Sequence, residues 1–171
     1  MSINKYMYYT FPHMQSGGSE HKSKSQALNE DDITITISQP WFDLIKSGDK
    51  KAEGRLKKST FAKLKINDVV IWTYNDLKCR TKIVSINEYK TFADMLEHEG
   101  LNNVLPVNKI PKGVKYKIPV NKVPKGVKYD KNGIPIVNNV EDGVNNVYRV
   151  HYPKEEDEKK FGVLAIVVEV I

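Results

Sequence analysis

The chain has 171 residues, 40% hydrophobic and 28% charged, and carries a formal charge of +6 at pH 7. That length suits one domain with additional segments and falls short of two, and no apolar run approaches the roughly 20 residues that a membrane helix needs. The single cysteine, Cys79, excludes an internal disulfide and any multi-cysteine metal site, and "MSINKYMYYTFPHM" has no apolar region of the secretory kind, so a cytoplasmic or nuclear address and no membrane partner are expected.

Residues 1 to 31 mix Ser, Gly, Gln, His and Lys without periodicity and read as a disordered tail. Its aromatic cluster of Tyr6, Tyr8, Tyr9 and Phe11 is a candidate protein-partner contact. The domain is expected over 32 to 171. "ITITIS", from Ile33, alternates at period two and predicts a half-buried strand. Ser38 is placed to cap a helix with Pro40 in its first turn and Trp41, Leu44 and Ile45 on one face, and Gly48 ends it. A tight turn with the charged stretch "SGDKKAEGR" follows. "INDVVIWTY" and "LKCRTKIVSINEY" predict two strands joined at Asn75-Asp76, with Cys79 a structural residue of the second. Thr91 and Asp94 cap a short amphipathic helix in "TFADMLEHEG". A second helical pattern runs through Val144, Val147, Tyr148 and Tyr152, and "VLAIVVEVI" predicts a buried final strand.

Between these last two blocks lies a repeat. "VNKIPKGVKYKIP" at 107–119 is followed by "VNKVPKGVKYDKNGIP" at 120–135 and by a degenerate "VNNVEDGV". Three short units with Pro and Gly in each are too small for a solenoid and predict a surface loop insertion over 107–136, with too little apolar surface to pack as core. Between Val107 and Pro135 stand eight Lys and one Asp, a local +7, so the rest of the chain carries a net −1. The basic character belongs to this segment. Solvation and contact with nucleic acid are both open readings of it.

The charged stretch holds Lys50, Glu53 and Arg55, with one of only three arginines in the chain. On spacing alone a solvated, salt-bridged turn is the simpler reading. The alternative is a binding floor: Arg offers a rigid fork of donors, Lys a mobile charge, and Glu an acceptor for exocyclic amino groups.

"SQPWFDLIKSGDKKAEGR" resembles the signature of the ASCH (activating signal cointegrator homology) family, in which a helix ends in G-x-K-x-x-E-x-R. Here the pattern falls on Gly48, Lys50, Glu53 and Arg55. The similarity continues through "LKINDVVIWTY", "TFADMLEHEGLNNVLP" and "EDGVNNVYRVHYPKEEDEKKFGVLAIVVEVI". It implies an α+β fold, a small mixed β-barrel of the PUA-like type with two or three short helices, and a cleft beside the first helix lined by Trp41, Lys50, Glu53 and Arg55. Short strands with few helices also exclude a doubly wound parallel sheet, which needs long crossover helices.

The resemblance leaves two functions open. As a binding module, the cleft and the basic loop, with Tyr116 and Tyr129 as stacking surfaces, suit RNA, another single-stranded nucleic acid or a nucleoside-like small molecule. As an enzyme, one branch of the family hydrolyses 4-acetylcytidine with a lysine and a threonine nucleophile in this motif and a glutamate elsewhere. Lys50 matches that lysine, but Glu53 stands at the threonine position, and a carboxylate nucleophile would have to pass through a mixed anhydride. Lys50 and Glu53 remain the catalytic candidates, as general acid and base on a water. The four histidines, His13, His21, His98 and His151, show no ligand-like spacing, so neither a metal nor a cofactor is expected.

Overall fold

A computed structural model of the protein describes residues 32–118 and 123–171, so the expected tail and its aromatic cluster lie outside the described residues. Five strands, β1 (Ile33–Thr36), β2 (Ala52–Leu56), β3 (Val69–Tyr74), β4 (Leu77–Tyr89) and β5 (Val163–Val170), form one sheet in the order β1-β3-β4-β5-β2. The β1–β3 pair is parallel and the other three are antiparallel. The sheet curls into a half-barrel consistent with the PUA-like type.

Period-two patterning decides the strands. In β4, Cys79, Thr81 and Ile83 point inward while Lys78 and Lys82 face water. The buried Trp72 of β3 donates its indole N–H to the Thr81 hydroxyl at 2.8 Å, so neither polar atom is left unsatisfied in the core. The β3–β4 connection falls at Asn75-Asp76 as expected, with Asn75 at φ 51°.

Helix α1 (Trp41–Lys46) buries Trp41, Phe42, Leu44 and Ile45. Ser38 does not cap it through its side chain. Pro40 occupies the cap position, and the Ser38 carbonyl accepts the Phe42 N–H instead. Gly48, at φ +76°, ends the helix and returns its N–H to the Ile45 carbonyl. In α2 (Phe92–Glu99) the Thr91 hydroxyl caps the Asp94 N–H as predicted, at 3.0 Å. A short α3 (Leu101–Val104) follows. The second predicted helical pattern is built from α4 (Val140–Gly143), a π-turn at Val144–Tyr148 and α5 (Arg149–His151). The acidic "EEDEKKF" adds α6 (Glu155–Phe161), with four carboxylates in its first turn and two lysines in its last, the charge order that the helix dipole favours.

Two local expectations change. The charged stretch is a turn only as far as Lys51; from Ala52 it is strand β2, held by its pairing with β5, and the local pattern hid it because five residues with a Gly and two charges show no apolar run. The insertion, in turn, packs more than its composition suggests. Val114, Tyr116 and Ile118 are half-buried while Lys115 and Lys117 are exposed, and Val127 and Tyr129 repeat the pattern against Lys128. Its second unit closes a hairpin-like bridge between Tyr129 and Pro135.

One buried carboxylate fixes the wall that faces β2. Glu158 accepts the Phe92 N–H at 2.8 Å and the Arg149 guanidinium at 2.7 Å, joining α2, α5 and α6. Phe92 then stacks on Tyr148, with ring centroids 4.1 Å apart, and on Tyr152 at 5.3 Å. Among the described residues no helix is long and apolar enough to cross a membrane.

Candidate functional site

Strands β1 and β2 are the two edges of the half-barrel, and Thr36, Ile37 and Ser38 at the end of β1 share with Glu53, Gly54 and Arg55 of β2 the lining of a cavity of about 250 Å³. Trp41 of α1 and Leu105 form another part of the wall. Val147, Tyr148, His151 and Tyr152 close it from the helical side. All four residues singled out from the sequence, Trp41, Lys50, Glu53 and Arg55, therefore meet at one cavity.

Their roles differ. Lys50 is 2% exposed, and its ammonium finds an acceptor for each of its three protons: the Ala52 carbonyl at 2.9 Å, the Val104 carbonyl, and Glu53 Oε2 at 3.1 Å. It also sits over the Trp41 ring, 5.3 Å from the centroid. Burial pulls its pKa below the usual lysine value, against the opposing pull of Glu53. Lys50 is thus an anchor for the carboxylate rather than a mobile charge.

Glu53 receives a second cation, as Arg55 Nε donates to its Oε1 at 2.8 Å. Burial works against the charged carboxylate, but Lys50 and Arg55 outweigh it and hold its pKa below the ordinary glutamate value. It is ionised at neutral pH. Arg55 spends Nε on Glu53 and rests its guanidinium over the Phe61 ring at 4.9 Å, and it interacts electrostatically with Tyr152. Burial alone would lower its pKa; Glu53 and Tyr152 raise it instead. The rest of the guanidinium lies toward Tyr152. Lys50, Glu53 and Arg55 together carry a net +1 beside the cavity.

The sequence reading named Tyr148 and Tyr152 only as positions of a helical pattern and His151 only as a histidine without ligand-like spacing, and placed none of them in the site. Tyr148 is 5% exposed, and among the described residues nothing hydrogen-bonds its hydroxyl, which reaches the backbone of β2 at Gly54. A Cβ on Gly54 would meet that hydroxyl and approach Met95 Cε to 2.7 Å. Burial, then the neighbouring Glu53 charge, raise the Tyr148 pKa well above the usual phenol value, so it is a neutral hydroxyl with a donor to offer. The ladder bonds from the Val168 N–H to the Lys51 carbonyl and from the Lys57 N–H to the Gly162 carbonyl put odd-numbered residues of β2 in register with β5. By alternation the Gly54 N–H and C=O point to the free edge. Burial and the Arg55 charge lower the His151 pKa, against a smaller opposing pull from Glu53, so the imidazole is neutral at pH 7. The signal for these residues was present in "YRVHY": positions 148, 151 and 152 share one helical face.

His98 lies elsewhere, bonded through Nδ1 to the Asp94 carbonyl at 2.8 Å, and Cys79 is a buried free thiol whose pKa burial raises. Among the described residues no group of three or more His, Cys, Asp or Glu side chains is placed to hold a metal.

Comparison with known proteins places this geometry in a family. No curated protein matches the chain significantly. Among solved structures, the crystal structure of hypothetical protein PH0355 is 34% identical, with a TM-score of 0.58 over 82% of this chain and 99% of that one. The solution structure of protein PF0455 from Pyrococcus furiosus is 30% identical, with a TM-score of 0.54 over 82% of this chain and 97% of its own. The description of the ASCH domain matches residues 35–171, nearly all of the described fold, and the chain belongs to that generally RNA-binding family.

Proposed function

We propose that the protein binds RNA or another single-stranded nucleic acid by taking one base, or a modified nucleoside, into the cavity between β1 and β2. The observation that carries this reading is the Glu53–Arg55 pair lining one cavity with the Tyr148 hydroxyl, which has no hydrogen-bond partner among the described residues. Carboxylate and guanidinium side by side offer an acceptor next to donors, the complement of a base edge. The volume, about 250 Å³, lies below the usual range for drug-sized ligands and suits a single base or nucleoside rather than a folded RNA element. Lys50 acts on the ligand through Glu53, whose orientation it fixes.

Hydrolysis of an acylated nucleoside is the second reading, and the observation in its favour is that the Thr36 and Ser38 side chains share the cavity with the neutral His151. Among the described residues no hydrogen bond joins His151 to either hydroxyl, and the low pKa of Glu53 makes it a weak base at neutral pH. Binding is therefore preferred.

Titration of short single-stranded RNAs, duplexes and free modified nucleosides against wild type and Arg55→Ala tests the proposal. Arg55→Ala should weaken binding about 10- to 100-fold at every salt concentration, the effect expected of a lost base-edge contact of about 1–3 kcal/mol. The reading fails if no member of the panel binds above an equally basic control protein, or if Arg55→Ala binds like wild type. Acetate release from 4-acetylcytidine would favour the enzyme instead.

A further inference from the structure

Over 114–118 and 127–129 the insertion alternates half-buried and exposed residues, and its exposed charges are lysines apart from Asp130, whose carboxylate accepts the Asn132 and Ile134 N–H groups at 2.8 and 2.9 Å. Lys109, Lys112, Lys115, Lys117, Lys125, Lys128 and Lys131 are all exposed, and among the described residues none of the seven makes an ion pair. The contrast with arginine is complete: Arg55, Arg80 and Arg149 each pair with a carboxylate. The tyrosines between the lysines point inward and are not free to stack on bases. Tyr116 donates its hydroxyl to Asp43 of α1 at 3.4 Å, its pKa pushed up to about 12 by burial and by that carboxylate, and Tyr129 is half-buried with its own raised by burial.

Three contacts set this lysine-bearing segment against the cavity. Asn146, 2% exposed in the π-turn beside Val147 and Tyr148, accepts the Lys128 N–H at 2.8 Å and donates to the Ile136 carbonyl at 2.7 Å, clasping both arms of the second unit. The first unit lies on the turn of the second, with the Tyr116 N–H bonded to the Asn132 carbonyl at 2.8 Å. Only a glycine fits at 133, because its φ is +76° and a Cβ there would run into the Tyr116 carbonyl. Finally, Tyr129, Gly133 and Pro135 share a narrow crevice with Trp41 and His151, the same two side chains that wall the main cavity.

We infer that this twin-unit lysine face seats the sugar–phosphate backbone of the single-stranded RNA whose base enters the cavity. The inference rests on the reading of the cavity as a base site and adds the path of the flanking strand. Exposed, unpaired ammonium groups with no available aromatic or forked donor make phosphate contacts that hold the strand without reading its sequence. Placed next to a pocket for one base, they convert a weak single-nucleoside interaction into binding of a strand.

The test uses the full chain and the variant Lys115→Gln/Lys117→Gln/Lys128→Gln/Lys131→Gln, whose four sites are exposed and whose fold is checked by thermal unfolding. A short, labelled single-stranded RNA of mixed sequence is titrated at salt concentrations from about 50 to 200 mM, with free nucleosides and phosphatidylserine vesicles as separate arms. The logarithmic salt slope should flatten by about 2–3, from roughly 0.7 per lost phosphate contact, while nucleoside affinity stays at the wild-type level. An unchanged slope overturns the inference, even with nucleoside binding intact. A flattened slope in a protein that binds no nucleoside upholds the lysine face and removes the cavity reading. Vesicle binding that the variant loses while its RNA slope stays unchanged assigns the face to membranes and overturns the inference as well.

Discussion

The hydroxyl of Tyr148 occupies the space that a side chain at Gly54 would need, so the strand between Glu53 and Arg55 and the helix opposite approach each other as closely as the missing Cβ allows. Gly54 has an ordinary strand backbone, and its glycine is required by this approach and not by a turn. Gly54→Ala should push Tyr148 and the flexible end of Met95 outward, costing about 1–3 kcal/mol of stability as overpacking does. It should also lower affinity for the best-binding nucleoside of the panel at least about tenfold, because both walls of the cavity shift. Unfolding in denaturant and the titration check this together; unchanged affinity with lowered stability would place the ligand elsewhere.

Tyr148→Phe separates binding from folding. Among the described residues the hydroxyl has no hydrogen-bond partner, so its removal should leave stability within about 0.5 kcal/mol of wild type. Affinity should fall about 3- to 10-fold, the worth of one hydrogen bond of about 0.5–1.5 kcal/mol. Equal affinity for the two proteins would show that the hydroxyl does not touch the ligand.

The ionised Glu53 should contribute to acid stability. The folded pKa of Glu53 lies below its ordinary value near 4.5, so its contribution to stability is complete above that value and is lost as pH falls through the lower folded one. Glu53→Gln should remove that part of the acid limb and, by leaving Lys50 and Arg55 buried beside a neutral amide, cost about 3–5 kcal/mol at neutral pH. Stability of both proteins measured from pH 7 down to about 3 decides it; parallel curves would mean that Glu53 titrates alike in the folded and unfolded chain.

Asn146→Ala should release the second unit of the insertion. The Lys128 N–H and Ile136 carbonyl each lose their partner, at about 1–3 kcal/mol apiece where water cannot replace it. Hydrogen exchange should rise across 128–136 and leave the β3–β4 ladder protected. Unchanged exchange there would show that the bridge at Tyr129 and Pro135 holds the hairpin without Asn146.

Much was legible in the sequence because it is local. Alternation in "ITITIS" and β4, the Thr91–Asp94 cap, the Asn75-Asp76 turn and the stop at Gly48 each depend on neighbours within a few residues, and each stands where its pattern put it. The motif also identified Lys50, Glu53 and Arg55 as a group. What they do with one another was decided by tertiary structure. Residues 52–56 become a strand only because β5, more than a hundred positions away, supplies the partner, and Lys50 becomes an anchor only because the Val104 carbonyl arrives from the far side. Tyr148, His151 and Tyr152 reach the same cavity through a helix fixed by the Glu158 bridge to Phe92 and Arg149. The lysine repeat was plain in composition, yet its place beside the cavity depends on one buried amide, Asn146, whose two bonds span 18 and 10 positions. Composition records how much charge a segment carries; only packing determines which charges meet a partner and which are left facing water.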